Sequence, residues 1–124
     1  MIEVVAALIW NEDLFLICQR SEHKTRPLLW EFPGGKVKPG EDIEDALVRE
    51  CKEELELIVS VGSLFGEVIY TYSDVTIHLS VINTVIVEGI PRLVEHNDLR
   101  WISIEECKQY TFCPADDVII KRLF

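Results

Sequence analysis

The segment from Ile43 to Leu55 constrains this chain most, because its pattern fits a helix that carries carboxylates on its inward side. With Ile43 as origin, Ile43, Ala46, Leu47, Cys51 and Leu55 fall at i, i+3, i+4, i+8 and i+12, one apolar stripe at helical period. Glu50 and Glu54 occupy i+7 and i+11 of the same stripe. A buried unpaired carboxylate costs several kcal/mol, and clustered ones repel each other. A run of charges is ordinarily a solvated helix face. Here the spacing argues for a cation held by Glu50, Glu53 and Glu54, most simply a metal ion. Asp42 is placed to cap the helix, which is expected from about 43 to 55.

Composition narrows what such a cation would serve. The chain has 124 residues, 48% of them apolar, enough for one core, so a single domain over 1–124 is expected. Its formal net charge of -10 excludes the electrostatics of a nucleic-acid polymer binder or of a protein drawn to anionic membranes. A small anionic substrate can still enter where bound divalent ions invert the local field. No apolar run approaches the ~20 residues of a membrane span, and the N-terminal residues carry no basic leader. A soluble, cytoplasmic protein is the expectation. Cys18, Cys51, Cys107 and Cys113 form no C-x-x-C pair and read as reduced structural thiols.

Along the chain, residues 2–10 and 14–20 read as strands joined by the polar turn Asn11-Glu12-Asp13. A loop over 21–27 leads to an extended segment at 28–32, stopped by Pro33-Gly34-Gly35, whose glycines bring backbone close to another group. After the helix, 58–71 and 75–88 predict a hairpin, 99–102 a short strand, Ser103 with Glu105 and Glu106 a capping box, and 114–123 a terminal helix. This order predicts an α+β fold, a central mixed sheet covered by helices.

The spacing Gly35, Glu41, Arg49-Glu50, Glu53-Glu54, preceded by Glu31-Phe32-Pro33-Gly34, resembles the signature of the Nudix hydrolases. The likeness covers most of the chain. Leu29-Trp30-Glu31-Phe32, Glu95 ahead of Trp101, and Pro114-Ala115-Asp116 look like the MutT branch, in particular CTP pyrophosphohydrolases and 8-oxo-dGTP diphosphatases. The resemblance implies a Nudix-type α/β/α sandwich. It also implies hydrolysis of a nucleoside triphosphate, canonical or modified, to the monophosphate and pyrophosphate with magnesium or manganese. A non-catalytic nucleotide-binding module and a hydrolase of another nucleoside diphosphate derivative are the alternatives. Two positions depart from the pattern: Cys51 stands where an aliphatic residue is usual, and Glu56 where a glycine usually ends the helix. A left-handed non-glycine residue costs about 1 kcal/mol, so either the helix runs on or the turn is strained.

The resemblance further implies roles. Glu50, Glu53 and Glu54, the carbonyl of Gly34 and the distant Glu95 would hold metal, which carboxylate oxygens suit. Glu50 and Glu95 are the candidates for general base, with Glu50 favoured as central to the cluster. Arg49 would orient the cluster by a salt bridge in which Glu41 shares. An ion pair of Glu50 with Arg49 or Lys52 is the weaker reading, because adjacent helical residues point apart. Arg20 would reach the triphosphate, and Lys36 beside the glycines would neutralise phosphate. Phe32 and Tyr72 would pack or stack on the base, although a core role suits Phe32 as well. Asp116, in place of the asparagine of some oxidised-guanine enzymes, would hydrogen-bond a base edge with Asp117 sharing the task. His78 and His96 have no decisive reading, and the oligomeric state stays open.

Overall fold

A strand covered on both faces reads as a continuous apolar run rather than an alternating one. Ile2–Asn11 has that pattern, and in the computed structural model, which describes residues 1–124, it is the central strand β1, buried from Val5 to Ile9. The chain continues through β2 (Leu14–Gln19), β3 (Trp30–Glu31), β4 (Gly34–Lys36), α1 (Ile43–Leu55), β5 (Ile58–Thr71), β6 (Thr76–Glu88), β7 (Asp98–Ile102) and α2 (Pro114–Ile120). Short 3-10 turns occupy Glu105–Gln109 and Lys121–Leu123. The sheet order is β3-β2-β1-β6-β5, with β4 added to β1 and β7 to β2. Only β1 and β6 run parallel, so the sheet is mixed.

Alternation along β1 divides the core. Val5, Ala7 and Ile9 pack with Ala46, Leu47, Cys51 and Leu55 of α1. Ala6 and Leu8 pack with Ala115, Ile119 and Ile120 of α2 on the opposite face. Each large side chain so buried contributes about 1.5–3 kcal/mol. The result is the α+β sandwich that the element order predicts. All four cysteines are buried and free, and no helix is long and apolar enough to cross a membrane. Ser103 and Glu106 form the reciprocal capping box, with backbone-to-side-chain bonds of 3.0 and 3.3 Å.

Four local expectations need correction. Gly34–Lys36 is a strand and not merely a stop, since residues without side chains can pair against Val4, Val5 and Ala6 of β1. Ile43 is exposed, so the buried stripe begins one turn later at Ala46. Asp42 stands at the N-cap position but makes no side-chain bond there. The terminal helix stops at Ile120 and tightens into a 3-10 turn. Glu56 takes the left-handed conformation at φ 57°, its N–H donating to the carbonyls of Cys51 and Lys52. The helix therefore ends where a glycine would end it, at the conformational cost of a side chain.

Beyond the reach of α1, three neighbouring strands are joined by one imidazole. His78 on β6 lies 2.7 Å from Glu3 of β1 and 3.2 Å from Glu67 of β5. Both ring nitrogens face carboxylates, which ionised can only accept, so the bridge is complete when the ring is protonated. Partial burial works to lower the His78 pKa, but the bonds to Glu3 and Glu67 prevail and raise it. A raised pKa in the folded state gives stability that is full below the unfolded value and is lost as pH rises through the folded one. The melting temperature should therefore fall as pH rises above the ordinary histidine value of about 6.5, and His78→Gln should flatten that fall. An unchanged profile in the variant would refute the bridge.

Candidate active site

The site begins where α1 meets β4. A Cβ on Gly34 would collide with the Val5 carbonyl oxygen and the Ala6 Cα, and one on Gly35 would collide with the Glu50 carboxyl group. The glycines thus let a helix carboxylate lie directly against strand backbone. Arg49 fixes the arrangement. Its Nε and Nη2 donate to the two oxygens of Glu41 at 2.9 and 3.0 Å, and Nη2 also donates to the Lys36 carbonyl at 3.0 Å. Nη1 donates to Glu50 Oε1 at 2.9 Å and to Glu53 Oε2 at 3.2 Å. Such fork geometry makes the stronger class of charged hydrogen bond. It holds the Glu41 pKa down to about 2, through the Arg49 bonds and then the Lys38 N–H. The Arg49–Glu50 pair overturns the sequence expectation, because a long guanidinium folds back along the helix although the two Cα–Cβ bonds diverge.

Glu54 differs from its neighbours. Its side chain is 14% exposed against 58% for Glu53, and Oε2 is buried without a hydrogen-bond partner. Burial, and then the charge of Glu50, push its pKa up to about 8. His96 is packed beside it, with Nε2 3.6 Å from Glu54 Oε2 and 3.5 Å from Glu31 Oε2. The other ring nitrogen of His96 is the only other buried side-chain atom left without a partner. Orphaned buried polar atoms call for an explanation, and both of these lie at this one place.

Glu50 and Glu54 open into a cavity of about 690 Å³, whose wall also includes Glu31, Gly34, Gly35 and Lys36. Cations stand along it: Arg20, tied to Glu31 at 3.0 Å and to the Thr25 carbonyl at 2.7 Å, and Lys24 and Arg26 from the same loop. At the α2 end lie Phe32, Tyr72 and Asp116. Asp116 is buried, with Oδ2 accepting the Phe32 N–H at 3.0 Å. Burial, then the charge of Glu31, raise its pKa well above the carboxylate range, so its neutral acid can donate as well as accept.

The structure thus gathers Glu50, Glu54, Gly34, Arg20, Lys36, Phe32, Tyr72 and Asp116 around one cavity. Other candidates lie off it. Glu53 is exposed and bound to Arg49. Glu95 is exposed and pairs with Lys24 at 3.6 Å. Asp117 turns to Lys121 at 2.9 Å, one helical turn on, and does not reach the cavity beside Asp116. Phe32 is also a core residue. Tyr72 presents no open ring: Arg26 lies 4.0 Å over its centroid and Tyr70 packs 4.7 Å away. No three acidic, histidine or cysteine donors converge on a single metal position, since Arg49 holds Glu50 and Glu53. Sequence reasoning missed Glu31 and the Lys24-Thr25-Arg26 stretch. Glu31 carried a signal, an acid beside Trp30 in an otherwise apolar segment, whereas the loop carried none.

Comparison with known proteins fits this geometry. The model of the NUDIX domain matches residues 2–123. The CTP pyrophosphohydrolase of Escherichia coli K12 is 41% identical over 116 residues, covering 94% of this chain and 86% of that protein. The 8-oxo-dGTP diphosphatase of the same strain is 31% identical, with coverage of 98% and 95%. The crystal structure of a MutT protein from Methanosarcina mazei Go1 superposes with a TM-score of 0.88 at 30% identity, covering 98% of this chain and 91% of that one. The family match and these two relatives show a hydrolase of phosphorus anhydrides, built here as an acidic helix set against a glycine strand in a mixed sheet between two helices. The chain belongs to the Nudix hydrolase family.

The two glycines separate stability from chemistry. Gly34→Ala should destabilise by about 2 kcal/mol or more, because the collision is with backbone. Gly35→Ala should change stability by about 1 kcal/mol or less but, on the general-base role proposed for Glu50 below, lower kcat about 100-fold by displacing that carboxylate. Denaturant unfolding and turnover measured on both variants check this, and equal behaviour of the two would contradict it.

Proposed function

We propose that this Nudix hydrolase converts a nucleoside triphosphate, with CTP and its analogues or 8-oxo-dGTP foremost, to the monophosphate and pyrophosphate. One observation carries the reading: a single cavity has a carboxylate pole at Glu50 and Glu54, cations along its wall, and a buried acid at its far end. Its volume suits a small-molecule ligand. The substrates named for the two Escherichia coli relatives supply the candidate bases.

Nudix hydrolases generally use divalent metals, and the residues here fit one. The unpartnered Glu54 Oε2 and its raised pKa mark a place where positive charge is wanted. Glu50 and Glu54 with the Gly34 carbonyl would hold Mg²⁺ or Mn²⁺, and Glu53 and Glu95 would join by side-chain rotation. When bound, such ions cancel charge on the phosphates and acidify water. Arg49 keeps Glu50 in place through Oε1 alone. As general base, Glu50 accepts the proton of a water whose oxygen bonds to phosphorus while the P–O bond of the α,β-anhydride breaks. Arg20, Lys24 and Lys36 bind the phosphates and orient the chain of anhydrides for that attack. Asp116 receives the base edge, accepting from an exocyclic amine or, protonated, donating to a ring nitrogen or carbonyl. Four reduced buried thiols support a cytoplasmic setting.

Two experiments test this. Phosphate release coupled to pyrophosphatase, run with Mg²⁺ over CTP, dCTP, 5-methyl-dCTP, dGTP and 8-oxo-dGTP, should show turnover on at least one, reduced about 100-fold or more by Glu50→Gln. Inactivity on all five, with Glu50→Gln binding nucleotide as the unaltered protein does, would sink the enzyme reading for triphosphates. Separately, Mg²⁺ or Mn²⁺ without nucleotide should raise the melting temperature, by the equivalent of about 2.7 kcal/mol at a hundredfold excess over Kd. Glu54→Gln should lose most of that shift, and an undiminished shift would place the metal elsewhere.

A further inference from the structure

Whatever enters the α2 end of the cavity does not meet an open Tyr72 ring. Arg26 covers it, with its guanidinium carbon 4.0 Å from the ring centroid. The guanidinium is held on several sides. Nη1 donates to Asp74 Oδ1 in the β5–β6 turn at 3.0 Å, and Nη2 donates to Thr25 Oγ1 at 3.2 Å. Thr25 Oγ1 also accepts from Arg20 Nη2 at 3.1 Å, so one hydroxyl couples the two arginines. Tyr72 is fixed in turn, its hydroxyl oxygen accepting the Ala115 N–H at 2.9 Å, next to Asp116. The backbone is committed to this placement, because Arg26 has a left-handed φ of 52° and Leu28 one of 62°. A long cation held over an aromatic ring by an ion pair and a hydroxyl is a pre-organised surface, and Arg26, Thr25, Tyr72, Asp74 and Asp116 all line the cavity.

Resting on the nucleotide reading above, we propose that Arg26 is the surface on which the nucleobase stacks, and so a specificity-determining residue. Tyr72 acts beneath it as backing. The chemistry suits the role. A guanidinium is planar and weakly hydrated and stacks on aromatic faces, while its in-plane N–H groups stay bound to Asp74 and Thr25. Lysine carries the charge without the plane. Arg26 therefore adds a cationic face to the base while Asp116 reads its edge, and Arg20, coupled through Thr25, stays with the phosphates.

The test separates base from phosphate and needs no turnover. Binding of nucleoside monophosphates and of inorganic pyrophosphate is measured by calorimetry on the intact chain and on Arg26→Ala, Arg26→Lys and Asp74→Asn, each first shown folded by thermal melting. Arg26→Ala should weaken monophosphate binding about tenfold and pyrophosphate binding less than twofold. Arg26→Lys should fail to restore monophosphate affinity, and Asp74→Asn, which keeps the guanidinium, should cost less than threefold. Equal losses for monophosphate and pyrophosphate in Arg26→Ala would make Arg26 a phosphate ligand and overturn the proposal. Full rescue by Arg26→Lys, or an Asp74→Asn loss equal to that of Arg26→Ala, would overturn it too, by assigning the effect to charge or to the loop clasp. If the unaltered protein binds no nucleoside monophosphate, it is the nucleotide reading that fails, which is a separate result.

Discussion

An acidic helix can be laid against a sheet only where nothing stands between carboxylate and backbone, and the contact of α1 with β4 meets that condition with two glycines. Gly34 allows β4 to pair closely with β1, and Gly35 leaves the space that the Glu50 carboxyl group fills. The rest of the site depends on this contact. Arg49 reaches from the helix to the Lys36 carbonyl at the end of β4 and to Glu41 in the connecting loop, so the strand, the loop and the helix form one rigid unit. The apolar stripe of Ala46, Leu47, Cys51 and Leu55 supplies the burial that holds the unit onto β1.

That unit concentrates negative charge in a chain already at -10. The structure handles it unequally. Glu41 and Glu50 share the single positive charge of the Arg49 fork, Glu53 turns toward solvent and the same guanidinium, and Glu54 is left buried with an oxygen that no hydrogen bond within the protein satisfies. Charge that a fold leaves uncompensated at a cavity wall is a demand for a cation from outside, since self-repulsion at short range in a water-poor pocket is strong. A loop from β2 to β3 brings Arg20 and Lys24 to the same cavity. A polyanion bound together with a metal cation would meet both demands, the cation at the carboxylates and the phosphates at the basic loop.

Much of this was legible beforehand, for reasons tied to particular residues. The α1 stripe and its carboxylates follow from helical period. The strands β1, β5 and β6 follow from long apolar and β-branched runs, and the capping box of Ser103 and Glu106 from a three-residue offset. Short-range rules failed where a long side chain or a missing one decided the outcome. The Arg49–Glu50 pair arises because the guanidinium curls back, which Cβ directions do not show. The strand at Gly34–Lys36 has no propensity signal and exists because glycine permits the approach to β1. Asp117 lies one residue from Asp116 yet faces Lys121, since a helix turns neighbouring side chains about 100° apart.

What the sequence determined by itself is the local chemistry: a helix with Glu50 and Glu54 on its core side, the glycine pair that admits them, and the spacing that identifies the family. These follow from periodicities within a few turns of chain. Only the tertiary structure decided which distant groups share the cavity. It brings Glu31, His96 and Glu54 together from a strand, a loop and a helix, leaves Glu95 and Asp117 outside, and sets Arg26 of the β2–β3 loop over Tyr72 at the end of β5. The physical reason is that such contacts are set by sheet order and loop closure. Sequence separation says little about them until β1 is placed between β2 and β6.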